Sequence, residues 1–133
     1  MPVFALPENI AFPSPELADE SGLLAVGGDL SAERLLGAYE NGIFPWFEKD
    51  QPILWWSPPE RMVLYKGNFK CSKSLKQSLK NKGFELRIDT AFGQVIRACA
   101  SIDRKDQNDT WITHEMENAY TDLHELGYAH SFE

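Results

Sequence analysis

Two stretches of this chain carry residue types suited to binding, while few of its residues have the spacing that catalysis needs. From Gly42 to Pro59 the sequence reads G-I-F-P-W-F-E-K-D-Q-P-I-L-W-W-S-P-P, which holds three of the four tryptophans (Trp46, Trp55, Trp56), two phenylalanines and four prolines. Pro45, Pro52, Pro58 and Pro59 each lack an amide donor and bias the preceding residue towards extended geometry, so the stretch is not a helix. Rings that bury roughly 150–250 Å² apiece cannot all be left in water. The stretch therefore predicts an extended aromatic wall, which either lines a groove or domain junction or packs an ordinary core. From Lys66 to Lys82 there are six lysines and no acid. On a helix, Lys73, Lys76 and Lys80 share one side and Leu75 and Leu79 the other. Such a stripe is either a solvated face or a contact for phosphates, where each neutralised lysine adds affinity and salt sensitivity.

Acid–base and nucleophilic groups are scattered. His114, His124 and His130 stand apart from one another and from Cys71 and Cys99, and the cysteines form no C-x-x-C pair. No zinc site or disulfide framework is predicted, and the thiols are expected to be reduced. His124 falls on the last predicted helix and is expected to be structural. No serine lies in a nucleophile elbow and no pair of carboxylates stands out. Gly27-Gly28-Asp29 reads as a tight turn; a phosphate-cradling loop would need a preceding strand, further glycines and usually a lysine, none of which is read there. The remainder is an aromatic surface followed in sequence by a basic stripe. It suits a ligand with a planar or apolar end and an anionic tail. Stacking a base on an aromatic ring is worth about 1–3 kcal/mol, so a terminal nucleotide qualifies.

The elements that would position these groups follow from caps and periodicity. Ser31 caps a helix over 32–40, with Leu30 and Leu35 as a hydrophobic staple and Gly42 as the stop. Leu35, Leu36 and Tyr39 share its inward face. Met62 to Tyr65 alternates weakly and predicts a short strand. Ser72 caps the lysine helix, which runs to about Asn81. Phe84 to Ile88 alternates strictly and predicts a half-buried strand. Asp89 opens the next helix, with Phe92, Val95, Ile96 and Cys99 on its buried side. Residues 101–109 are polar and predict a flexible loop. Thr113 caps a final helix with Met116, Ala119, Tyr120 and Leu123 on one stripe and Gly127 at its end, and Trp111 sits just before it. Residues 129–133 look like the start of a strand.

With 133 residues there is chain enough for one domain or two small ones. Hydrophobic residues make up 43% and charged residues 25%, as in ordinary globular proteins. The net charge of −7 is uneven, because the lysine run leaves the rest of the chain strongly acidic. Neither a membrane span nor a secretion signal is read, so a cytoplasmic protein with no membrane partner is expected.

Several blocks, taken in order, are rare combinations: G-L-L-A-V-G-G-D-L-S, A-Y-E-N-G-I-F-P-W-F, P-I-L-W-W-S-P, A-F-G-Q-V-I, T-W-I-T and L-H-E-L-G-Y-A-H-S-F-E. Together they resemble the leucyl/phenylalanyl-tRNA–protein transferases, over essentially the whole chain. The resemblance implies a bacterial cytoplasmic enzyme that moves leucine or phenylalanine from Leu-tRNA or Phe-tRNA onto proteins with an N-terminal Arg or Lys. The product is thereby marked for degradation by the N-end rule pathway. It implies an α+β chain: a small N-terminal α/β domain over 1–59, then the first part of an acetyltransferase-like (GNAT) domain over 60–133. It puts an aminoacyl pocket on Tyr39, Trp46, Trp111 and Tyr120 and a tRNA-binding face on Lys73, Lys76 and Lys80. Gln77 and Asn81 stand where the family has further basic residues, so this face is thinner, and Asp109 stands where the family has a glycine before T-W-I-T. No cofactor or metal is implied. The family's catalytic D-x-Q carboxylate and amide fall beyond Glu133, so this stretch is expected to hold no catalytic residue and to be inactive by itself. The competing readings are a non-catalytic peptide- or RNA-binding module and an inactive fragment that self-associates through a half-domain edge.

Overall fold

The computed structural model describes residues 3–8, 11–102 and 110–133. A short strand, β1 (Phe4–Leu6), runs parallel to β2 (Leu23–Gly27), with Phe4 opposite Ala25 and Leu6 opposite Gly27. The aromatic stretch then folds back on itself as a hairpin of β3 (Phe44–Pro45) and β4 (Leu54–Trp56), with Phe44 opposite Trp56 and Pro45 opposite Trp55. β4 also pairs antiparallel with β2, so the sheet is mixed and ordered β1-β2-β4-β3.

β2 was legible only as a turn, and the strand is a correction. Leu24 and Ala25 are adjacent and both fully buried. A strand covered on both faces reads as a plain apolar run rather than an alternation. Gly22, just before β2, has φ +92°, and a Cβ there would lie 2.7 Å from Pro58 Cα. Its carbonyl accepts from Ser57 N–H at 2.7 Å, which locks the start of β2 to the end of β4.

The four α-helices among the described residues begin where local chemistry predicts, with one exception. In α1 (Ala32–Glu40) the Ser31 hydroxyl accepts from Arg34 N–H. In α2 (Lys73–Asn81) Ser72 accepts from Leu75 N–H, and in α4 (His114–Glu125) Thr113 accepts from Met116 N–H. Each such cap satisfies an orphan donor and is worth about 1 kcal/mol. The exception is α3 (Phe92–Ser101), which starts at Phe92 and not at Asp89. Asp89 has φ +58°, and its carboxylate is taken up by His130 and by Ser131 N–H. α3 is instead capped from a distance: Glu133 accepts from Ala91 N–H at 2.9 Å and Thr90 N–H at 3.1 Å.

α1 and α4 close over the sheet. Leu24, Ala25, Leu35, Ala38, Ile43, Trp55, Ala119 and Leu123 form one buried cluster, so residues before and after position 60 share a core. Full burial of one leucine side chain contributes roughly 1.5–3 kcal/mol. Trp55 is fully buried, donates from Nε1 to Gly27 O at 2.8 Å, and meets Phe12 edge-on at 4.9 Å.

Three further expectations fail in the stretch after Pro59. Residues 62–65 form no strand and are exposed. Residues 84–88 are also exposed, and only Ile88 bridges, to Phe132, flanked by reciprocal bonds between Arg87 and Glu133. Alternation marks a face that a strand can bury, but a strand needs a neighbour, and among the described residues only 131–133 serve. Cys99 is exposed rather than in the core. In α2 no residue is buried, Leu75 and Leu79 included. The predicted loop over 101–109 falls largely outside the described residues, as does Asp109.

Candidate functional site

The site grows from the end of α1. Asn41 is the last half-helical residue, Gly42 follows at φ +69°, and Ile43 N–H returns to Ala38 O at 2.8 Å while Gly42 N–H returns to Tyr39 O at 3.0 Å. This paired closure needs a left-handed residue, which glycine provides without a Cβ clash. It reverses the chain so that Ile43 dives into the core while Phe44 and Trp46 flank it. Trp46 is held by its backbone: its N–H donates to Leu54 O at 3.0 Å, and its carbonyl accepts from Trp56 Nε1 at 2.7 Å. Its indole is thereby left free, with the residue 51% exposed.

Opposite lies Trp111, delivered by the segment that leads into α4. Tyr39, Phe44, Trp46, Arg61 and Trp111 line one cavity of about 640 Å³. Trp111 meets the Tyr120 ring edge-on at 6.3 Å, and Tyr120 meets Tyr39 edge-on at 6.4 Å with a hydrogen bond between the two phenols. Burial pushes both phenols above their ordinary value, Tyr120 further than Tyr39, and the neighbouring Tyr39 oxygen adds to the shift at Tyr120. Both are therefore neutral donors or acceptors near neutral pH. Trp111 and Tyr120 also wall a second, smaller cavity of about 200 Å³ with Phe92, Ile96 and Met116. Trp111 is thus shared between the two hollows.

The four aromatic residues singled out by resemblance thus come together: three line the cavity and Tyr120 backs two of them. Lys73, Lys76 and Lys80 do not join them. They project from α2, no residue of which lines the cavity, and make no ion pair among the described residues. Sequence reasoning missed Arg61 and did not single out Phe44. Arg61 lies just outside the lysine run, and only its isolation after P-P-E marks it.

His124 and His130 serve structure. His124 stacks on Phe92 at 4.1 Å and bonds Ala129 O through Nδ1 at 2.8 Å, in keeping with its expected role. His130 bonds Asp89 at 2.7 Å and, with Ser131 N–H, holds that carboxyl below the usual range. Hydrogen bonds from Ser131 and Thr90 lower Glu133 to about 2. Among the described residues no three His, Cys, Asp or Glu side chains gather as metal ligands would, and no helix is long and apolar enough to cross a membrane.

The groups gathered here are apolar rings, the neutral phenol of Tyr39 with that of Tyr120 behind it, and one cation. Comparison with known proteins adds the family. Residues 28–59 match the family model described as the leucyl/phenylalanyl-tRNA protein transferase N-terminal domain, and residues 63–133 match that of the leucyl/phenylalanyl-tRNA protein transferase. A leucyl/phenylalanyl-tRNA–protein transferase of Desulfatibacillum aliphaticivorans is 55% identical over 133 residues, all of this chain and 57% of the relative. One from Anaeromyxobacter sp. (strain K) has the same identity and coverage. One from Legionella pneumophila (strain Corby) is 54% identical over 129 residues, 97% of this chain and 57% of the relative. The chain spans a little over half the length of the curated relatives it matches. By both family models and by these identities, the chain belongs to the leucyl/phenylalanyl-tRNA–protein transferase family.

Proposed function

We propose that this chain supplies the aminoacyl-binding pocket and a tRNA-facing helix to an enzyme that transfers leucine or phenylalanine from aminoacyl-tRNA to proteins with an N-terminal Arg or Lys. Such transfer would mark the acceptor for N-end rule degradation in the cytoplasm. On this reading residues 1–59 form the N-terminal domain and 60–133 the first part of a GNAT-like one. The observation that carries the reading is that Trp46 and Trp111, distant in sequence and on different elements, face one cavity with Tyr39, and that Tyr120 braces Trp111 and Tyr39 from behind. A volume near 640 Å³ lies in the range of small-molecule sites and leaves space for more than one side chain.

The reaction asks little of acid–base groups. The acceptor's α-amine attacks the ester carbonyl, an N–C bond forms and the C–O ester bond breaks. The electron pair leaves with the ribose hydroxyl, and the amine gives up a proton. An ester is already activated and an α-amine has a pKa near 8, so modest help with that proton suffices. Most of the acceleration comes from holding the two partners in register. Leucine, methionine or phenylalanine would fill a slot between indoles, whereas a charged side chain would be left without solvent or partner. A single methylene in such a pocket discriminates by about 1–3 kcal/mol.

The test is binding of a non-hydrolysable phenylalanyl-adenosine, followed by tryptophan fluorescence. Trp46→Ala and Trp111→Ala should each weaken it about tenfold or more. Unchanged affinity in both variants would remove the pocket assignment.

A further inference from the structure

The cavity has one charged wall. Arg61 lies over the Phe44 ring, its guanidinium carbon 5.8 Å from the centroid. Its Nε donates to Pro58 O at 3.2 Å, and its Nη2 donates to Ser57 Oγ at 3.1 Å and to Gly42 O. All three acceptors are neutral, and no carboxylate lies within ion-pairing distance among the described residues. A guanidinium has five donors in a fixed fork. Here the Nε and Nη2 edge is consumed in bracing the end of α1 against the end of β4, and both Nη1 donors are without a partner among the described residues. The charge is therefore pre-aimed and uncompensated, beside walls that are otherwise apolar.

The geometry points to Arg61 as an anion subsite that takes the 5′-phosphate of the nucleotide whose aminoacyl group occupies the pocket. This rests on the aminoacyl reading of the cavity and extends it. A ligand that fills an apolar, ring-lined slot and also satisfies one oriented guanidinium must carry an anion close to a planar or apolar body. An aminoacyl-nucleotide has that layout, since one ribose carries the base, the aminoacyl ester and the 5′-phosphate. The lysines of α2 cannot serve here because none of them lines the cavity. Arginine suits the task because its planar group can be fixed to the protein through Nε and Nη2 while Nη1 is left to donate to a phosphate, which lysine's single nitrogen cannot do.

The experiment compares two probes by calorimetry at low salt: a non-hydrolysable phenylalanyl-adenosine, and the same compound bearing a 5′-phosphate. The phosphate should tighten binding by about tenfold, a gain that shrinks as salt rises. In Arg61→Gln that gain should disappear, so that the ratio of the two probes' affinities falls to about one, whatever the variant does to the unphosphorylated probe. In wild type, the guanidinium nitrogen resonances of Arg61 should shift with the phosphorylated probe and not with the other, a readout that needs no variant. Equal affinity of the two probes for wild type, or an undiminished gain in Arg61→Gln, would overturn the assignment. So would an equal weakening of both probes, which would leave Arg61 as a brace for Gly42 and Ser57 only. If the unphosphorylated probe fails to bind wild type at all, the aminoacyl reading itself falls, and the subsite with it.

Discussion

The phenol of Tyr39, on the last turn of α1, is hydrogen-bonded to the phenol of Tyr120, in the middle of α4. It is the polar rivet between the two helices that close over the sheet. It also fixes the ring against which Trp111 rests edge-on.

Removing either hydroxyl should loosen this junction. Tyr120→Phe leaves the Tyr39 oxygen without its partner and should lower stability by about 0.5–1.5 kcal/mol in urea unfolding, with some loss of probe affinity. Tyr39→Phe should cost more, since it leaves the better-buried Tyr120 oxygen without a partner, whereas water can reach the half-exposed Tyr39.

The same phenols set an alkaline limit. Both are raised in the folded state by burial. As pH climbs past the ordinary phenol value of about 10, the unfolded chain therefore releases protons before the folded one. Stability should fall above that pH, and the fall should be shallower in Tyr120→Phe. Equal slopes in the two proteins would contradict the pairing.

Acid works on the other end of the chain. Glu133 is held at about 2, against an ordinary value of 4.5, first by Ser131 and then by Thr90. A depressed carboxyl contributes stability above its unfolded value and loses it as pH falls through the folded one. Glu133→Gln should therefore lower the unfolding midpoint at neutral pH, and the difference from wild type should narrow between about pH 4.5 and 2. Loss of protection of the first amides of α3 in hydrogen exchange would accompany it.

The lysine helix offers a test independent of the pocket. If Lys73, Lys76 and Lys80 each neutralise a phosphate, log affinity for tRNA should fall with log salt, and the triple alanine variant should flatten that slope by about 2 to 3. Since α2 buries none of its residues, the variant's stability should be nearly unchanged. An unaltered slope would return the stripe to an ordinary solvated face.

Local chemistry was legible without any structure. Ser31, Ser72 and Thr113 cap their helices, and Gly42 and Gly127 end two of them, because caps and left-handed stops depend on residues within one turn. The family was legible too, since its blocks are contiguous. The fates of Trp46 and Trp55 were not. Both lie in one aromatic stretch, yet hairpin register sends Trp55 into the core against Phe12 and leaves Trp46 facing the cavity. β2 was hidden because burial on both faces erases the alternation that announces a strand. The segments 62–65 and 84–88 had the alternation but found almost nothing to pair with. Arg61 gave no periodic signal, and its place at the cavity comes from bonds to Gly42, Ser57 and Pro58. Turns and caps belong to neighbours in sequence, whereas pairing, burial and the meeting of Trp46 with Trp111 depend on which distant residues the closed chain brings together.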